Sequence, residues 1–422
     1  MKAEVRQRIE QIRQGKIPKG YKNVGGYICP ETWKAVKLSE LGKWKGGGTP
    51  AKGNASYWQN GTIYWISSQE VKQDTIKETT YKITEAALKE STTTLIPENS
   101  IIVVVRSGIL QHSLPIAKLS IPMAINQDIK ALILNDASMI DYVFEMLKCK
   151  EAFILQTYTK KGTTVESLIF DSFSNLIIPY AKESDRNTIV KILKLQNRII
   201  ALKERYLAEK LRQKQYLMQV LLTGKKRLPG FSEPWKEVKL GDIFSERTET
   251  NHPELELLAI TGTKGVIPRN QLDLKDNSSE DKSKYLKICV GDIGYNTMRM
   301  WQGVSAYSNY EGIVSPAYTI LKPNGRNHAR FFAYLFKLPE IIFLFYRYSQ
   351  GLVDDTRNLK YSNFKKIRVK CPVNEKEQMA IADILVTADQ EIGLLRQALE
   401  QERRKKKALM QLLLSGIVRV KP

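Results

Sequence analysis

The sequence predicts an α/β (α+β) fold class in which two blocks follow one another in tandem, separated by two long helices that form an antiparallel coiled coil. The first observation is an internal repeat. The motif that begins at Trp33 (WKAVKL) returns at Trp235 (WKEVKL), and the motif at Leu217 (LMQVLLTG) returns at Leu409 (LMQLLLSG). The second is a stretch of helical apolar periodicity at the end of each half. Two similar halves in one chain predict a pseudo-twofold internal repeat.

The spacing of the repeats separates constant parts from variable ones. Gly224 and Gly416 are 192 residues apart, and so are Ile189 and Ile381, so the helical parts align without a gap. The two tryptophan motifs are 202 residues apart, which puts the ten-residue difference in the blocks. Because the helices have constant length, we expect them to set a fixed distance between the two blocks. Because the blocks differ in sequence, we expect each block to contact something different.

The two blocks show mixed α/β character. Apolar, β-rich runs at 100–105 and 317–321 alternate with turn-rich segments, and 139–155 and 329–346 are predicted to be helical. The resulting division gives a helical arm at 1–29, a first block at 30–180, a first long helix at 181–228, a second block at 229–373 and a second long helix at 374–422.

Each long helix has recognisable ends. Asn374 followed by Glu377 is a capping-box arrangement, and Ser184 is the predicted N-cap of the first copy. Gly224 and Gly416 stand where a C-terminal left-handed residue is expected. Helices of about 40 residues are roughly 60 Å long.

A heptad pattern predicts how the helices pack. The second copy has apolar residues in four-three spacing, at Ile381, Leu385, Ala388, Ile392, Leu395 and Leu399. The first copy follows this pattern, interrupted by Gln196, Lys203 and Lys214, and then slips by one residue to Leu211, Met218 and Leu221. We expect the helices to pair with each other; the alternative is that each packs on its own block.

Charge and composition narrow the function. Sixty-six Lys and Arg against 44 Asp and Glu give a net charge of +22, which favours a polyanionic partner, above all nucleic acid. A solubility charge and a membrane surface are the alternatives. No apolar run or signal-peptide pattern indicates membrane insertion or export. Four scattered cysteines and three scattered histidines predict reduced thiols in a cytoplasmic protein and no metal site.

Several segments together resemble the specificity (S) subunit of type I restriction-modification systems, over essentially the whole length. The segments that carry the resemblance are GGTP at 47–50, GTIYWI at 61–66, RSG at 106–108, INQDIKAL at 125–132, GDIGYNTMRMWQG at 291–303, GIVSPAY at 312–318 and SQG at 349–351. Glu377 and Gln378 are similar to the start of the family's spacer helix. The first copy departs there, with Asp185 and Arg186, so its helix is expected to begin differently.

The resemblance implies a non-catalytic subunit that recognises DNA sequence. Its two blocks would be target-recognition domains for the two half-sites of an asymmetric bipartite sequence in double-stranded DNA. Two methylation (M) subunits carrying S-adenosylmethionine would dock on it, and motor-nuclease (R) subunits using ATP and Mg²⁺ would join through them. The complex would direct adenine methylation or restriction, and this chain would bind no cofactor itself.

Two alternatives stay open, a solitary DNA-binding regulator and a stand-alone DNA-modifying enzyme. The acid-x-Lys tripeptides that begin at Asp128 and Asp273 have the spacing found in metal-dependent nucleases, but such tripeptides arise by chance in a lysine-rich chain. The sequence has no phosphate-binding GxxxxGK[ST] loop.

Residues that contact bases should be polar side chains on loops, since arginine pairs with guanine and asparagine or glutamine with adenine. The candidates in the first block are Lys45, Gly47, Thr49, Arg106, Ser107, Gln111, His112, Asn126 and Gln127; those in the second are Asn296, Arg299, Trp301, Gln302, Gln350 and Arg357. The glycines around Gly47 would allow the loop 45–54 to approach a phosphate. Each candidate is alternatively an ordinary turn or surface residue. The basic run 403–407 either follows phosphates or is a solvated helix face.

Overall fold

The computed structural model describes residues 3–24, 27–160, 165–262, 264–272, 279–325 and 327–420. The chain divides into two compact units. Unit 1 consists of Met1–Leu202 and Leu399–Pro422, and unit 2 of Lys203–Ala398. Unit 1 is therefore built from both ends of the chain, whereas unit 2 is one continuous stretch.

Two helices are much longer than the others, and each has residues in both units. The helices are α1 (Ala3–Arg13), α2 (Leu38–Leu41), α3 (Ala55–Trp58), α4 (Glu85–Glu90), α5 (Ile140–Cys149), α6 (Glu151–Tyr158), α7 (Phe170–Ser174), α8 (Glu183–Leu221), α9 (Leu240–Ile243), α10 (Ala329–Leu335), α11 (Pro339–Tyr348), α12 (Tyr361–Phe364) and α13 (Glu375–Leu414).

Unit 1 contains a five-stranded and a four-stranded sheet, with strand orders β4-β12-β9-β10-β6 and β7-β5-β11-β8, and three two-stranded ladders. Its strands are β1 (Tyr21–Val24), β2 (Tyr27–Pro30), β3 (Lys34–Lys37), β4 (Gly42–Gly46), β5 (Ile63–Ile66), β6 (Thr75–Ile76), β7 (Tyr81–Ile83), β8 (Thr94–Ile96), β9 (Ile101–Val104), β10 (Ile116–Leu119), β11 (Met123–Ile125), β12 (Ile129–Leu134), β13 (Thr159–Lys160), β14 (Ser167–Leu168) and β15 (Ile177–Tyr180).

Unit 2 repeats the central part of this topology. Its strands are β16 (Lys236–Lys239), β17 (Phe244–Arg247), β18 (Leu258–Thr261), β19 (Gly265–Pro268), β20 (Leu286–Ile288), β21 (Ile293–Asn296), β22 (Ser305–Tyr307), β23 (Gly312–Val314), β24 (Tyr318–Pro323) and β25 (Arg368–Cys371). The order β17-β24-β21-β22 corresponds to β4-β12-β9-β10 of unit 1, and the ladder β16-β25 to β3-β15. The predicted mixed α/β character and the duplication are both confirmed.

Each predicted block helix is in fact a pair of shorter helices. The first breaks at Lys150, between α5 and α6, and the second breaks before Pro339, which takes the first position of α11. Lys150 is buried, and its ammonium group lies over the ring of Tyr27. Desolvation lowers the pKa of Lys150 from 10.5 to about 7, so the break accommodates a lysine that burial drives towards its neutral form.

The starts of the long helices differ in detail from the predicted caps. Ser184 lies inside the first turn of α8 rather than capping it, because α8 begins at Glu183. Asn374 does cap α13, since its side-chain oxygen accepts a hydrogen bond from the backbone N–H of Lys376 at 3.0 Å. The Glu377 carboxylate does not complete a capping box; instead it accepts two hydrogen bonds from Arg227, at 2.7 and 2.9 Å, and one from the Trp235 indole at 3.2 Å.

The same tryptophan contact occurs in unit 1, although the sequence there differs. The Trp33 indole N–H donates to the carboxylate of Asp185 at 3.3 Å, and Asp185 is 192 residues before Glu377. The first long helix therefore begins with an equivalent carboxylate rather than in a different way. Each repeated tryptophan thus ties its block to the first turn of the long helix that follows that block.

The long helices end as predicted. Gly224 and Gly416 have φ values of +71° and +69°, and the hydrogen bonds from Lys226 N to Val220 O and from Val418 N to Leu412 O are both 3.0 Å long. The pattern is the same at an offset of 192 residues. The glycine at each end removes the Cβ strain of a left-handed residue.

The long helices pack together, antiparallel within each unit, as predicted. In unit 2 the slip to Leu211 is wrong, because Leu211 is 40% exposed. The line of α8 residues that contacts α13, here called the seam, continues through Lys210 and Lys214 instead. Lys210 forms an ion pair with Glu391 at 2.8 Å, and Lys214 forms one with Asp389 at 2.6 Å. The aliphatic stems of the two lysines can cover the seam while their ammonium groups reach the carboxylates.

Each unit also packs the ends of both helices into its own core. In unit 1, Ile189 and Leu193 of α8 and Leu413 of α13 join the cluster that contains Trp33. In unit 2, Leu221, Ile381 and Leu385 join the cluster that contains Trp235. The pairing of the helices and their packing on the blocks, posed as alternatives by the sequence, therefore occur together.

Candidate nucleic-acid interface

A cleft of about 650 Å³ in unit 1, here called cleft 1, contains three of the predicted site residues. Thr49, Asn126 and Gln127 line it, together with Asp128. The Thr49 hydroxyl donates to Gln127 Oε1 at 2.7 Å, which fixes the exposed amide at the mouth. Asn126 is buried and accepts the backbone N–H of Asp128 at 3.2 Å, so it shapes the turn that presents Gln127.

Part of the lining of cleft 1 is aromatic and is here called its aromatic wall. Trp58, Trp65 and Tyr81 line it and contact one another edge to face. Tyr81 is inconspicuous in the sequence, because it follows two threonines in a turn-rich segment without apolar periodicity. The contact becomes visible only when β7 pairs with β5 and places Tyr81 opposite Trp65.

The glycines of the first loop are required by the protein itself. A Cβ atom at Gly47 would overlap the carbonyl oxygen of Ile125, and one at Gly48 would overlap the hydroxyl of Thr92. These glycines therefore allow the loop to lie against neighbouring strands, and this packing explains them without a phosphate. Lys45 lies exposed on β4 immediately before the loop.

The remaining candidates of unit 1 lie in two places. The exposed guanidinium of Arg106 lies 3.8 Å from the Asp128 carboxylate, at the edge of cleft 1. Ser107 caps a short 3₁₀ helix that ends at the exposed Gln111. His112, the next residue, lines a separate cavity of about 480 Å³ together with basic residues of α13.

The basic run 403–407 is largely paired with carboxylates. Arg404 lies 3.0 Å from Glu400, and Lys406 lies 3.9 Å from the buried Glu145 of α5. Arg403, Lys406 and Lys407 line the cavity that contains His112. The run is therefore partly a packing surface, and a contact of this run with phosphate stays a prediction.

Unit 2 has an equivalent cleft of about 550 Å³, here called cleft 2. Predicted residues Asn296 and Arg299 line it, together with Arg269 and two tyrosines, Tyr285 and Tyr318. The Asn296 side chain accepts the backbone N–H of Met298 at 2.9 Å and so fixes the loop after β21. Among the described residues, the exposed guanidinium of Arg299 has no hydrogen-bond or ion-pair partner.

Clefts 1 and 2 occupy corresponding positions in the two units. The turn between β11 and β12 borders cleft 1, and the turn between β23 and β24 borders cleft 2. A parallel pairing lies beside each turn: β5 with β11 in unit 1, and Leu257 with Ile313 in unit 2. The frame is therefore duplicated, whereas the side chains that line the clefts are different.

Two of the remaining candidates of unit 2, Arg357 and Trp301, pack on the same tyrosine, Tyr346. The Arg357 guanidinium stacks on Tyr346, 4.2 Å from the ring centroid, and forms a 3.3 Å ion pair with Asp354. Trp301 packs edge to face on the same tyrosine. The Gln350 backbone pairs with Asn358, leaving its side chain exposed on the same loop. Arg357 and Trp301 thus stabilise the loop, and base contact by either stays a prediction.

Gln302 lies exposed on a loop that a half-buried lysine, Lys337, supports. The Lys337 ammonium donates to the carbonyl oxygens of Gly303 and Ser305, at 2.7 and 2.5 Å. Desolvation lowers the pKa of Lys337 to about 8. The segment between α10 and α11 thus supports the backbone that directly follows Trp301 and Gln302.

Within the described ranges, no three or more His, Cys, Asp or Glu side chains are grouped to hold a metal ion. The tripeptide beginning at Asp273 lies outside those ranges, and the Asp128 carboxylate is engaged by Arg106. No helix in the described part of the chain is long and apolar enough to cross a membrane.

A duplicated α/β unit, with unlike polar clefts at equivalent positions, defines a tandem-domain protein. A family model described as the type I restriction modification DNA specificity domain matches residues 30–212 and 232–402. The chain belongs to this family, and the resemblance seen in the sequence is confirmed.

Individual relatives are similar over part of the chain. One is the type I restriction enzyme EcoR124I/EcoR124II specificity subunit of Escherichia coli, 38% identical over 186 residues, which are 44% of this chain and 46% of that protein. Another is the type I restriction enzyme MjaIX specificity subunit of Methanocaldococcus jannaschii, 24% identical over 250 residues, 54% of this chain and 55% of that protein. The chain spans about half the length of these curated relatives.

Solved structures share the fold over nearly the full chain. The S subunit of a type I restriction-modification system from M. genitalium matches with a TM-score of 0.54 and 15% identity, covering 90% of this chain and 96% of that one. A chain from a structure concerned with complex assembly and conformational transition of the type I R-M system matches with a TM-score of 0.57 and 16% identity, covering 93% and 98%. At these identities the likeness concerns the fold.

Proposed function

We propose that this chain is the DNA sequence-specificity subunit of a type I restriction-modification complex, in which its two units recognise the two half-sites of an asymmetric bipartite target. The observation that carries the proposal is the pair of clefts, equivalent in position but lined by different side chains. A duplicated frame with two unlike clefts suits two unlike half-sites. The net charge of +22 suits binding to the DNA backbone.

The long helices would set the distance between half-sites and dock the methylation subunits. α8 has 39 residues and α13 has 40, about 60 Å at 1.5 Å per residue. In unit 1, α8 exposes Leu195, Ile199 and Leu202 in four-three spacing. An exposed apolar stripe of this period suits the apolar face of a partner helix, and we assign it to a methylation subunit.

The partner subunits would supply the chemistry. Two methylation subunits would bring S-adenosylmethionine for adenine methylation, and motor-nuclease subunits would join through them with ATP and Mg²⁺. The chain itself would bind DNA and no cofactor, and it would act in the cytoplasm, where the DNA is.

The test is methylome sequencing of cells that carry this chain with its methylation subunit. We expect one bipartite motif with two unlike half-sites. Exchanging residues 30–180 for the corresponding block of a relative should change one half of that motif, and exchanging 229–373 should change the other. A change in both halves from one exchange would contradict separate recognition, and methylation or cleavage by the isolated chain would contradict a recognition-only role.

A further inference from the structure

We infer that cleft 1 recognises an A·T base pair and that Tyr81 and Trp58 of its aromatic wall contact the methyl group of thymine. This inference rests on the proposed function, since it requires that unit 1 binds a DNA half-site. The base pair is inferred from two features of the cleft, its apolar aromatic surface and the amide of Gln127.

The two tryptophans of the aromatic wall present carbon, because their indole N–H groups are already used. The Trp58 N–H donates to the Ala51 carbonyl at 3.2 Å, and the Trp65 N–H donates to the Gly48 carbonyl at 3.0 Å. Both tryptophans are thereby fixed on the loop that contains the glycines. Since neither N–H is left for a base, the tryptophans offer apolar surface to whatever enters the cleft.

Tyr81 completes this wall as an exposed ring on a rigid support. It is 54% exposed, yet its ring centroid lies 6.4 Å from those of both Trp58 and Trp65, in edge contact with each. The tryptophan rings are themselves edge to face at 5.3 Å. A large exposed aromatic side chain held in this way can bury a methyl group without reorganising.

The same cleft also offers an amide. Gln127 is exposed, and the Thr49 hydroxyl donates to its Oε1, which keeps a second lone pair. A glutamine amide pairs with N6 and N7 of adenine, and the thymine of the same pair presents O4 and its methyl group in the major groove. An amide beside an apolar wall is therefore complementary to the edge of an A·T pair.

Cleft 2 shows the contrast at the equivalent position. Arg269 and Arg299 line it beside Asn296, and the exposed Arg299 side chain brings guanidinium donors. Arginine donors suit the O6 and N7 acceptors of guanine. The cation that lines cleft 1 is Lys52, and Arg106 at its edge already faces Asp128. The difference between the clefts is what assigns the A·T pair to cleft 1.

The experiment removes the methyl group and nothing else. The full chain, assembled with its methylation subunits, is assayed for binding to its methylome-defined target while each thymine in turn is replaced by deoxyuridine. We expect one position in one half-site where the replacement weakens binding about fourfold, the factor for burying one methyl group. In Tyr81→Ala that factor should fall to about one, and Tyr81→Phe, which keeps the ring, should retain it.

Each outcome is decisive. The inference is overturned if no thymine shows the loss, or if Tyr81→Ala leaves the fourfold factor unchanged although it binds the thymine target. Because Tyr81 is exposed, its replacement should leave the fold intact, and Trp58→Phe provides a second variant that narrows the same wall. Failure of the proposed function is recognised separately, since the complex would then methylate no bipartite motif at all.

Discussion

The buried carboxylate at the start of α13 allows a sharp prediction about stability. In Arg227→Ala, the Glu377 carboxylate, whose side chain is 2% exposed, loses both hydrogen bonds from the guanidinium and keeps only the Trp235 indole. Breaking one side of a buried ion pair costs about 3–5 kcal/mol. Arg227 is 27% exposed, so water can enter the vacated site, and we expect the lower end, about 3 kcal/mol.

The repeat supplies a matched control. Arg419 lies 192 residues after Arg227 and is exposed, with its guanidinium 3.5 Å from the Thr32 hydroxyl. Arg419→Ala removes a weak surface contact, so its cost should be within about 0.5 kcal/mol. The two variants therefore remove the same side chain from corresponding positions with very different expected results.

Hydrogen exchange read peptide by peptide is the suitable assay, because one global melting temperature is not a defined quantity for a chain of two units. About 3 kcal/mol corresponds to roughly a hundredfold faster exchange in the most protected peptides of unit 2. Arg419→Ala should leave the peptides of unit 1 nearly unchanged. Less than tenfold acceleration in Arg227→Ala, or equal effects of the two variants, would refute the role assigned to this ion pair.

Further changes test other parts of the chain. Arg299→Ala should relax one position of the half-site bound by unit 2, at a cost of about 1–3 kcal/mol in binding; unaltered methylation specificity would remove Arg299 from the interface. Inserting two heptads into α8 and α13 should lengthen the gap in the methylome motif, and an unchanged gap would show that the helices do not set it. The folded state favours neutral Lys150, so the unfolded chain binds more protons between about pH 7 and 10, and the free energy of unfolding should rise with pH there. Urea unfolding should show Lys150→Met stabilising unit 1 more at pH 6 than at pH 9, and an equal effect at both would contradict the lowered pKa.

The features that local sequence determines were predictable. Gly224 and Gly416 end their helices, and Asn374 caps α13, because a left-handed residue and a capping side chain act on their immediate neighbours. The 192-residue offset revealed the duplicated frame for a similar reason, since it needs only a comparison of the sequence with itself. Asn296 and Arg299 can be proposed as candidates because polar residues stand out after an apolar strand; both line cleft 2, and their contact with bases stays a prediction.

Features that depend on distant partners were not predictable in the same way. Glu377 has the spacing of a capping box, but Arg227 lies 150 residues earlier and takes its carboxylate. Leu211 is more apolar than Lys210, so the sequence favours Leu211 for the seam. Lys210 lies there instead, because it forms an ion pair with Glu391 of the other helix. Tyr81 is inconspicuous until strand pairing sets it against the two tryptophans. In each case the competing contact joins segments far apart in the chain.

The division into units has a consequence for the order in which the protein is made. Unit 2 is one continuous stretch, so it is translated completely before residues 399–422 of unit 1 are made. Unit 1 begins first but needs Met410, Leu413 and Leu414 in its core. Unit 1 is therefore begun first and completed last. A chain that stops before these residues would lack part of the core of unit 1, although most of unit 1 had been synthesised first.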